Sequence, residues 1–201
     1  NGEYEYGGSN KASDKSFSPK DEVKFWFSNF EAKKWLKKGF TKKDMDIYIS
    51  PPIDEIVSKK INRQFWSYYN FWDPQENYYY STKNTGFKAN PDGRSEGTYS
   101  KYASLDDAID GFHFYFMFLK FGIGRATSDA AHEIRDNHLT RDEGVRLIKK
   151  YDGEFPIKYY KKFLNYCNLT EKEFQQICDS WRATHLWTKK NNKWKLKKQV
   201  S

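Results

Sequence analysis

The spacing of apolar residues predicts a chain built mainly from short helices. Residues 1–20 are rich in Gly, Ser and Lys, which predicts a mobile loop. Apolar residues from Phe25 to Lys38 are spaced for a helix that ends at Gly39. Thr41 is suited to cap a second short helix, and the segment from Asp54 to Lys60 predicts a third.

The segment from Ile61 to Trp72 has a different character, because its aromatic residues are dense and Asp73-Pro74 ends it. This pattern predicts a strand. Ligands in open α/β sheets lie beyond the carboxyl ends of strands, so the polar residues that follow are candidate ligands. They are Asp73, Gln75, Glu76 and Asn77. Residues 81–103 contain glycines and few aliphatic side chains, which predicts an ordered loop over that site.

A long aromatic segment follows. Ser104 is suited to cap a helix that reaches Phe121. The phenylalanines in this segment also alternate as in a strand, at Phe112, Phe114, Phe116 and Phe118. The cap and the length of about 17 residues favour a buried helix.

Capping signals predict where the later helices begin. Thr127 is suited to begin one helix, and Pro156 suits the first position of another. Two S/T-x-x-E capping boxes begin two more: Thr140 with Glu143, and Thr170 with Glu173.

A glycine-containing corner joins two of the predicted helices. Gly122 and Gly124 let the backbone turn sharply and would bring Arg125 and Asp129 to the start of a helix. A guanidinium beside a carboxylate can fix a polar ligand, an anionic one especially. The same residues also fit a plain helix end, at which Arg125 caps backbone carbonyls.

The end of the chain is strongly basic. Asn191-Asn192, in the middle of Leu186–Lys197, predict a β-hairpin. Its lysines, together with Trp187 and Trp194, could contact phosphates and stack on bases. A solvated hairpin is the favoured interpretation, because the charges alternate outward along the strands, and nucleic acid is therefore not an expected partner. The lysines are Lys189, Lys190, Lys193, Lys195, Lys197 and Lys198.

Several acidic and histidine residues are candidate ligands of a metal ion or a sugar. Asp73, Glu76 and Glu96 suit Mg²⁺ or sugar hydroxyls, and equally suit the Asx turns of a loop. His132 and His138 lie six apart, on opposite faces of a helix, so no metal site is predicted there. One helical face carries four polar residues, for which a solvated face is the favoured explanation: Asp129, His132, Glu133 and Asp136.

Composition narrows the picture only partly. The 201 residues are enough for an ordinary domain, and the 19% of aromatic residues predict a core built from rings. The net charge of +8 permits an acidic partner without selecting one. Cys167 and Cys178 form no C-x-x-C pattern, which predicts buried thiols in a reducing, cytoplasmic setting. The sequence has no apolar run of about 18 residues, no G-x-x-x-x-G-K-[ST] loop and no G-x-S-x-G elbow.

From about Trp72 onward, ordered blocks of the sequence resemble the C-terminal half of the N-acetyl sugar amidotransferases, which serve bacterial surface-polysaccharide and flagellin-sugar biosynthesis. Many blocks over about 130 residues are more specific than one motif. They are Trp72–Tyr79, Thr85–Phe87, Glu96–Tyr102, Lys120–Thr127, Glu133–Arg135, Tyr151–Pro156 and His185–Trp187, with a weaker match at Tyr6–Gly8.

The resemblance implies an α/β fragment that is mainly helical. Residues 1–72 would hold the last strand or strands of a Rossmann-like PP-loop sheet, and residues 73–201 a helical substrate or partner domain with a terminal hairpin. The implied activity is ATP-dependent conversion of the acetamido group of a nucleotide-linked sugar to acetamidino. ATP and Mg²⁺ would bind through an N-terminal half carrying an S-G-G-x-D-S loop, which this sequence lacks. We therefore expect a fragment that is inactive alone.

The resemblance also implies partners and site residues. A glutaminase subunit would supply ammonia, with a cyclase-like subunit to channel it. Arg125 would face a phosphate or the carboxylate of an acidic sugar, and Asp129 would orient it. Two alternatives stay open: a non-catalytic docking module for such partners, and a basic nucleic-acid-binding domain. The expected substrate-binding residues are Asp73, Gln75, Glu76, Asn77, Glu96, Thr98, Lys101, Arg125, Asp129 and Arg135.

Overall fold

The computed structural model describes residues 26–27, 30–48, 51–62, 64, 68–103 and 105–200. The loop predicted for residues 1–20 lies outside this described part of the chain. The chain divides into two compact units, Asn1–Trp72 and Asp73–Ser201. Within the described residues the structure is mainly helical, with two antiparallel strand pairs.

The described part of the first unit contains one short strand pair and three short helices. β1 pairs antiparallel with β2, with Phe27 opposite Phe30. A 3₁₀ turn, Asp46–Tyr48, follows the second helix. The bounds are β1 Trp26–Phe27, β2 Phe30–Glu31, α1 Ala32–Leu36, α2 Lys42–Met45 and α3 Ile53–Ser58.

Two of the helix predictions for this unit are confirmed and one is wrong in its first half. Thr41 caps α2 through a full capping box with Asp44, and α3 covers most of the segment predicted from Asp54. The predicted helix from Phe25 to Lys38 is extended over its first described residues and helical only from Ala32. Aromatic residues favour extended backbone, which outweighs the helical spacing here.

The strand predicted for Ile61–Trp72 is not found in the described residues of that segment, where Gln64 alone forms an isolated bridge. No Rossmann-like sheet occurs in the described chain. Asp73 instead begins a helix, α4 (Pro74–Asn84), as its N-cap, with Pro74 in the first turn. The Asp-Pro pair, predicted to end a strand, therefore starts a helix, because Asp is a good N-cap and Pro suits the first helical position. The loop predicted from residue 81 begins only after Asn84.

The second unit contains five more helices and a hairpin among its described residues. A 3₁₀ turn, Ile157–Tyr159, precedes α8. The bounds are α5 Asp110–Phe121, α6 Arg125–Arg135, α7 Arg141–Tyr151, α8 Tyr160–Cys167, α9 Glu171–Ser180, β3 Trp187–Lys190 and β4 Lys193–Leu196.

Aromatic rings build the core of this unit, as the composition predicts. Phe112 of α5 stacks on Phe163 of α8 with ring centroids 4.0 Å apart, and it meets Phe174 of α9 edge to face. Stacked and edge-to-face rings are favourable arrangements of the aromatic quadrupole. The buried cluster comprises Phe112, Leu119, Phe163, Leu164, Phe174, Cys178, Trp187 and Leu196. The prediction of two buried thiols is thus confirmed for Cys178 and wrong for Cys167, which is exposed at the end of α8.

The aromatic helix α5 is confirmed as a helix but is shorter than predicted. It begins at Asp110, whereas the predicted cap, Ser104, lies outside the described residues. Before the helix, the Asp107 side chain accepts a hydrogen bond from the Ile109 N–H, which holds a local turn instead. The helix ends at Gly122 in the left-handed region, with φ 74°, as the sequence predicts.

Most other local signals are confirmed. Both capping boxes cap α7 and α9, and β3 pairs antiparallel with β4 through Asn191 and Asn192, whose φ angles are 48° and 60°. Two predicted helix starts shift. α6 begins at Arg125 rather than at Thr127, and Pro156 lies just before the 3₁₀ turn instead of inside it.

Candidate functional site

A cavity of about 470 Å³ opens in the second unit. Three segments form its walls: the loop 88–98, the segment 105–114 and the segment 156–159. Its lining mixes aromatic and apolar groups with charged ones, a composition typical of sites for small polar ligands. The lining residues include Asp92, Arg94, Glu96, Thr98, Phe114, Lys158 and Tyr159.

Two of the cations in this cavity are paired with carboxylates. Arg94 donates from both terminal nitrogens to Glu154, at 2.6 and 2.8 Å, and its guanidinium lies 4.5 Å from the centroid of the Tyr151 ring. Lys158 Nζ lies 2.8 Å from Asp92 Oδ2. The hydrogen bonds from these cations lower the pKa of both carboxyls, Glu154 and Asp92. These charges are thus fixed in position by their partners.

The segment Tyr151–Pro156, here called the clip, holds the loop 88–98 and the start of α6. Glu154 accepts a hydrogen bond from the Gly97 N–H at 3.0 Å in addition to its bonds with Arg94. Asp152 caps α6 from outside: it accepts from the Gly124 N–H at 2.9 Å and from the Thr127 N–H at 3.2 Å. The Thr127 hydroxyl also donates to Asp152. This capping by a distant carboxylate explains why α6 starts earlier than its own sequence predicts.

The glycine of the clip is required by both backbone and packing. Gly153 has φ +80°, and a Cβ there would lie 2.2 Å from Cε1 of Phe118. Only a residue without a Cβ fits such a close approach. The Phe118 side chain of α5 therefore fixes where the clip crosses that helix.

Arg125 and Asp129 meet as the sequence predicts. Arg125 Nε donates to Asp129 Oδ1 at 2.6 Å, and the guanidinium lies 5.0 Å from the centroid of the Phe114 ring. The other oxygen of Asp129 accepts from the Thr98 hydroxyl at 2.8 Å. Thr98 is 1% exposed. Arg125 itself is not among the residues that line the cavity; it contacts the wall through Phe114 and, by way of Asp129, through Thr98.

A second polar cluster lies where α4 begins. Asp73 Oδ2 is 3.0 Å from His138 Nε2, and its other oxygen accepts from the Glu76 N–H. The Tyr102 hydroxyl donates to Gln75 Oε1 at 2.9 Å. Tyr78 stacks on the Tyr102 ring at 4.4 Å. The start of α4 is thus joined to the loop that follows Thr98.

Burial shifts the acid–base behaviour of the groups next to this cluster. Burial, followed by the charge of Asp129, raises the pKa of Glu133. Burial also raises the pKa of Tyr99 and raises that of Tyr102 to about 12, so both phenols stay neutral donors at ordinary pH. The Tyr99 hydroxyl is buried, and the charge of Glu133 adds to the rise in its pKa.

The expected substrate-binding residues divide by location. Glu96 and Thr98 line the cavity, Arg125 and Asp129 support its wall, and Asp73 and Gln75 belong to the second cluster. Glu76, Asn77, Lys101 and Arg135 are exposed and do not line the cavity.

Several contributors were missed by reasoning from the sequence. Asp152 and Glu154 fall in a block that carried the resemblance, which was the available signal, whereas nothing local marked Phe114 as a cavity wall. The helical face of Asp129 is not simply solvated, since that side chain is 15% exposed. No group of three or more His, Cys, Asp or Glu side chains is placed to hold a metal ion in the part of the chain that the structure describes.

The tryptophans of the hairpin face inward. Trp187 Nε1 donates to the Leu119 carbonyl at 2.8 Å, and Trp194 Nε1 donates to Asp179 Oδ1 at 2.9 Å. The Arg182 guanidinium lies 5.4 and 5.5 Å from the two ring centroids. These rings are therefore engaged in packing and are not presented for stacking on bases.

A known family model matches the second half of the chain. Residues 96–201, slightly more than half of the chain, match the family model described as the C-terminal domain of WbpG-like LPS biosynthesis proteins. This match confirms the resemblance for that part of the chain, which includes the blocks from Glu96 onward. No curated protein matches the chain. Among the described residues, no helix combines the length and the apolar character that crossing a membrane requires.

Proposed function

Because the chain belongs to the family of WbpG-like LPS biosynthesis proteins, as their C-terminal domain, we propose that it holds the sugar of a nucleotide-linked substrate for an N-acetyl sugar amidotransferase. In this proposal the complete enzyme converts an acetamido group to acetamidino. The chain's own task is to bind and orient the sugar in the cavity beside the clip. A role in LPS biosynthesis follows from the family itself.

The cavity carries this proposal. Its volume of about 470 Å³ is within the range of small-ligand sites. Phe114 and Tyr159 offer ring faces for the C–H side of a sugar, and Glu96 offers a carboxylate acceptor for its hydroxyls. The ion pairs around Arg94 and Lys158 hold those walls in place before a ligand arrives, which lowers the ordering cost of binding.

Of the residues expected from the resemblance, the proposal uses four. Glu96 contacts the sugar, and Thr98 forms the wall that Asp129 and Arg125 support. Asp73 and Gln75 do not line this cavity and serve the junction between α4 and the loop.

ATP, Mg²⁺ and ammonia belong to other parts of the proposed enzyme. The sequence has no glycine-rich phosphate loop, and the described residues offer no convergent set of metal ligands. ATP and Mg²⁺ would bind outside this chain, and a glutaminase, with a cyclase-like channel subunit, would deliver ammonia.

The test is a calorimetric titration of the chain with UDP-N-acetylglucosamine as the probe. We expect saturable binding, weakened about 5- to 10-fold by Tyr159→Leu, which removes a ring face from the cavity. The matched control is Tyr166→Leu, because Tyr166 is exposed on the neighbouring helix α8 and lies outside the cavity. Absence of binding, or equal weakening by both variants, contradicts the proposal.

One observation favours a docking module as the second candidate. Tyr79 and Tyr80 of α4 are 61% and 69% exposed, although aromatic rings usually contribute to cores or interfaces. A chain that binds no sugar nucleotide but captures a purified glutaminase subunit, and loses it on Tyr79→Ser with Tyr80→Ser, would support this candidate instead.

A further inference from the structure

Exposed apolar side chains stand next to the basic hairpin. Phe121 and Ile123 are 56% and 51% exposed, and they flank Gly122. The backbone at Gly122 lies against the hairpin, because a Cβ built there would be 3.2 Å from Cδ2 of Leu196 in β4. The apolar pair thus lies beside β4, at the inward face of the hairpin that carries the buried Leu196.

A lysine lies between Phe121 and a second exposed ring. Lys120 Nζ lies 5.3 Å from the centroid of the Phe121 ring and 5.9 Å from that of Trp181, which is 43% exposed. Aromatic rings and lysines side by side are the combination found where proteins rest on a lipid interface.

The hairpin contributes charges that are not used inside the protein. Lys190, Lys193 and Lys195 are exposed, and within the described structure they make no ion pair or hydrogen bond from their side chains. Lys189 differs, since its Nζ pairs with Asp179 Oδ2 at 3.2 Å. The inward Trp187 and its neighbours hold the hairpin in place, so the unpaired lysines are presented on a fixed scaffold.

We propose that Lys190, Lys193 and Lys195, which share the outer face of the hairpin, bind an anionic phospholipid surface together with the exposed side chains Lys120, Phe121, Ile123 and Trp181. The lysine charges complement lipid phosphates, and the exposed rings and Ile123 enter the boundary between headgroups and acyl chains.

Two observations favour a lipid surface over other polyanions. The tryptophan rings of the hairpin face inward, so bases would find no stacking platform there. Arg182, the arginine of this region, has a side chain that is 8% exposed and engaged with Asp179. Bidentate recognition of carboxylates on a protein partner relies on free arginine, whereas lysines suit a diffuse field of charge.

The experiment is co-sedimentation of the full chain with vesicles. We compare phosphatidylcholine vesicles with vesicles that also contain about 30 mol% phosphatidylglycerol. We expect binding to the anionic vesicles alone, weakening as salt rises. The triple variant Lys190→Gln, Lys193→Gln, Lys195→Gln should lower the partition coefficient on the order of 100-fold at low salt.

A charge-matched control separates this surface from the overall positive charge. Lys149, Lys161 and Lys172 are exposed lysines on α7, α8 and α9, and their combined change to Gln should leave most of the binding. Phe121→Gln with Ile123→Gln should weaken binding several-fold if these side chains enter the interface. Circular dichroism of every variant confirms the fold.

Three outcomes overturn the proposal. The first is no preference for anionic vesicles, and the second is equal loss in the hairpin and control triples. The third is a chain that binds a single-stranded oligonucleotide or an acidic peptide through the hairpin lysines but not vesicles. None of these outcomes depends on whether the chain binds a sugar nucleotide.

Discussion

The cavity and the hairpin use charged side chains in opposite ways. Around the cavity, Arg94 and Lys158 each face a carboxylate, and their positions are set by it. On the hairpin, lysines such as Lys190 and Lys193 point outward without such partners in the described structure. A charge with a partner is held in one position, whereas an exposed charge without a partner contributes to the electrostatic potential of the surface. The first suits a site that orients a ligand, and the second suits a surface that meets a partner.

The largest effect on stability is expected from a substitution in the clip, which holds the loop that carries Arg94 at the cavity. Gly153→Ala places a methyl group against Phe118 and forces an L residue to φ +80°. We expect a loss of about 3 kcal/mol in the free energy of unfolding, measured with urea. Gly93→Ala is the matched control, since Gly93 has φ +95° but no atom within 4 Å of its added Cβ. It should lose about 1 kcal/mol. Equal losses would mean that the contact with Phe118 contributes nothing.

Asp152→Ala is expected to have the next largest effect. It removes the cap of α6, including the bonds from the Gly124 and Thr127 N–H groups, and should cost about 2 kcal/mol in the same measurement. Thr170→Ala, which removes an exposed cap from α9, should cost about 1 kcal/mol. If Thr170→Ala lowers the free energy of unfolding more than Asp152→Ala does, Asp152 is not the stronger cap.

Two glutamates should show opposite pH dependences. The pKa of Glu154 is lowered from 4.5, chiefly by its hydrogen bonds with Arg94, so its stabilisation is present above pH 4.5 and is lost as pH falls through the folded-state pKa. The pKa of Glu133 is raised from 4.5, chiefly by burial. The folded state is therefore favoured below pH 4.5, and this contribution is lost as pH rises through the folded-state pKa.

Urea unfolding at several pH values checks this pair. Glu154→Gln should destabilise by about 1 kcal/mol at pH 7 and by less at pH 3. Glu133→Gln should leave stability unchanged or raise it by up to about 1 kcal/mol at pH 7, and this gain should disappear below pH 4.5. Parallel pH profiles for the two variants would contradict the assignment.

The smallest effect on stability is expected on the hairpin. Lys190→Gln, Lys193→Gln and Lys195→Gln together should change the free energy of unfolding by less than about 0.5 kcal/mol, because these side chains are exposed and make no ion pair or hydrogen bond within the described structure. Lys158→Gln, which breaks the pair with Asp92, is the cavity counterpart and removes a single charge. A large loss from the hairpin triple would show that these lysines contribute to the fold.

Local signals in the sequence predict local structure well. The capping boxes at Thr140 and Thr170 and the turn at Asn191-Asn192 depend only on residues a few positions away, and all three are confirmed. The segment before Asp73 was misjudged because an Asp-Pro pair both ends strands and starts helices, and the sequence alone does not choose between them.

The site was predictable only in part, because several of its contacts join residues that are far apart in the sequence. Arg125 and Asp129 are four apart on one helix, so their pairing could be expected. The bonds from Thr98 to Asp129 and from Arg94 to Glu154 join residues 31 and 60 positions apart. No periodicity or cap reports contacts at that separation, and only the folded chain brings these partners together.

The span of the clip also has a consequence for the order of folding. Glu154 bonds to residues 57 and 60 positions away, whereas α7 and α9 carry their own capping boxes. Closing long loops costs chain entropy before any contact compensates it, so helices with local caps are expected to form first. The cavity would then be among the last parts of this unit to take shape on the folding pathway, and its walls among the first to open when the chain unfolds.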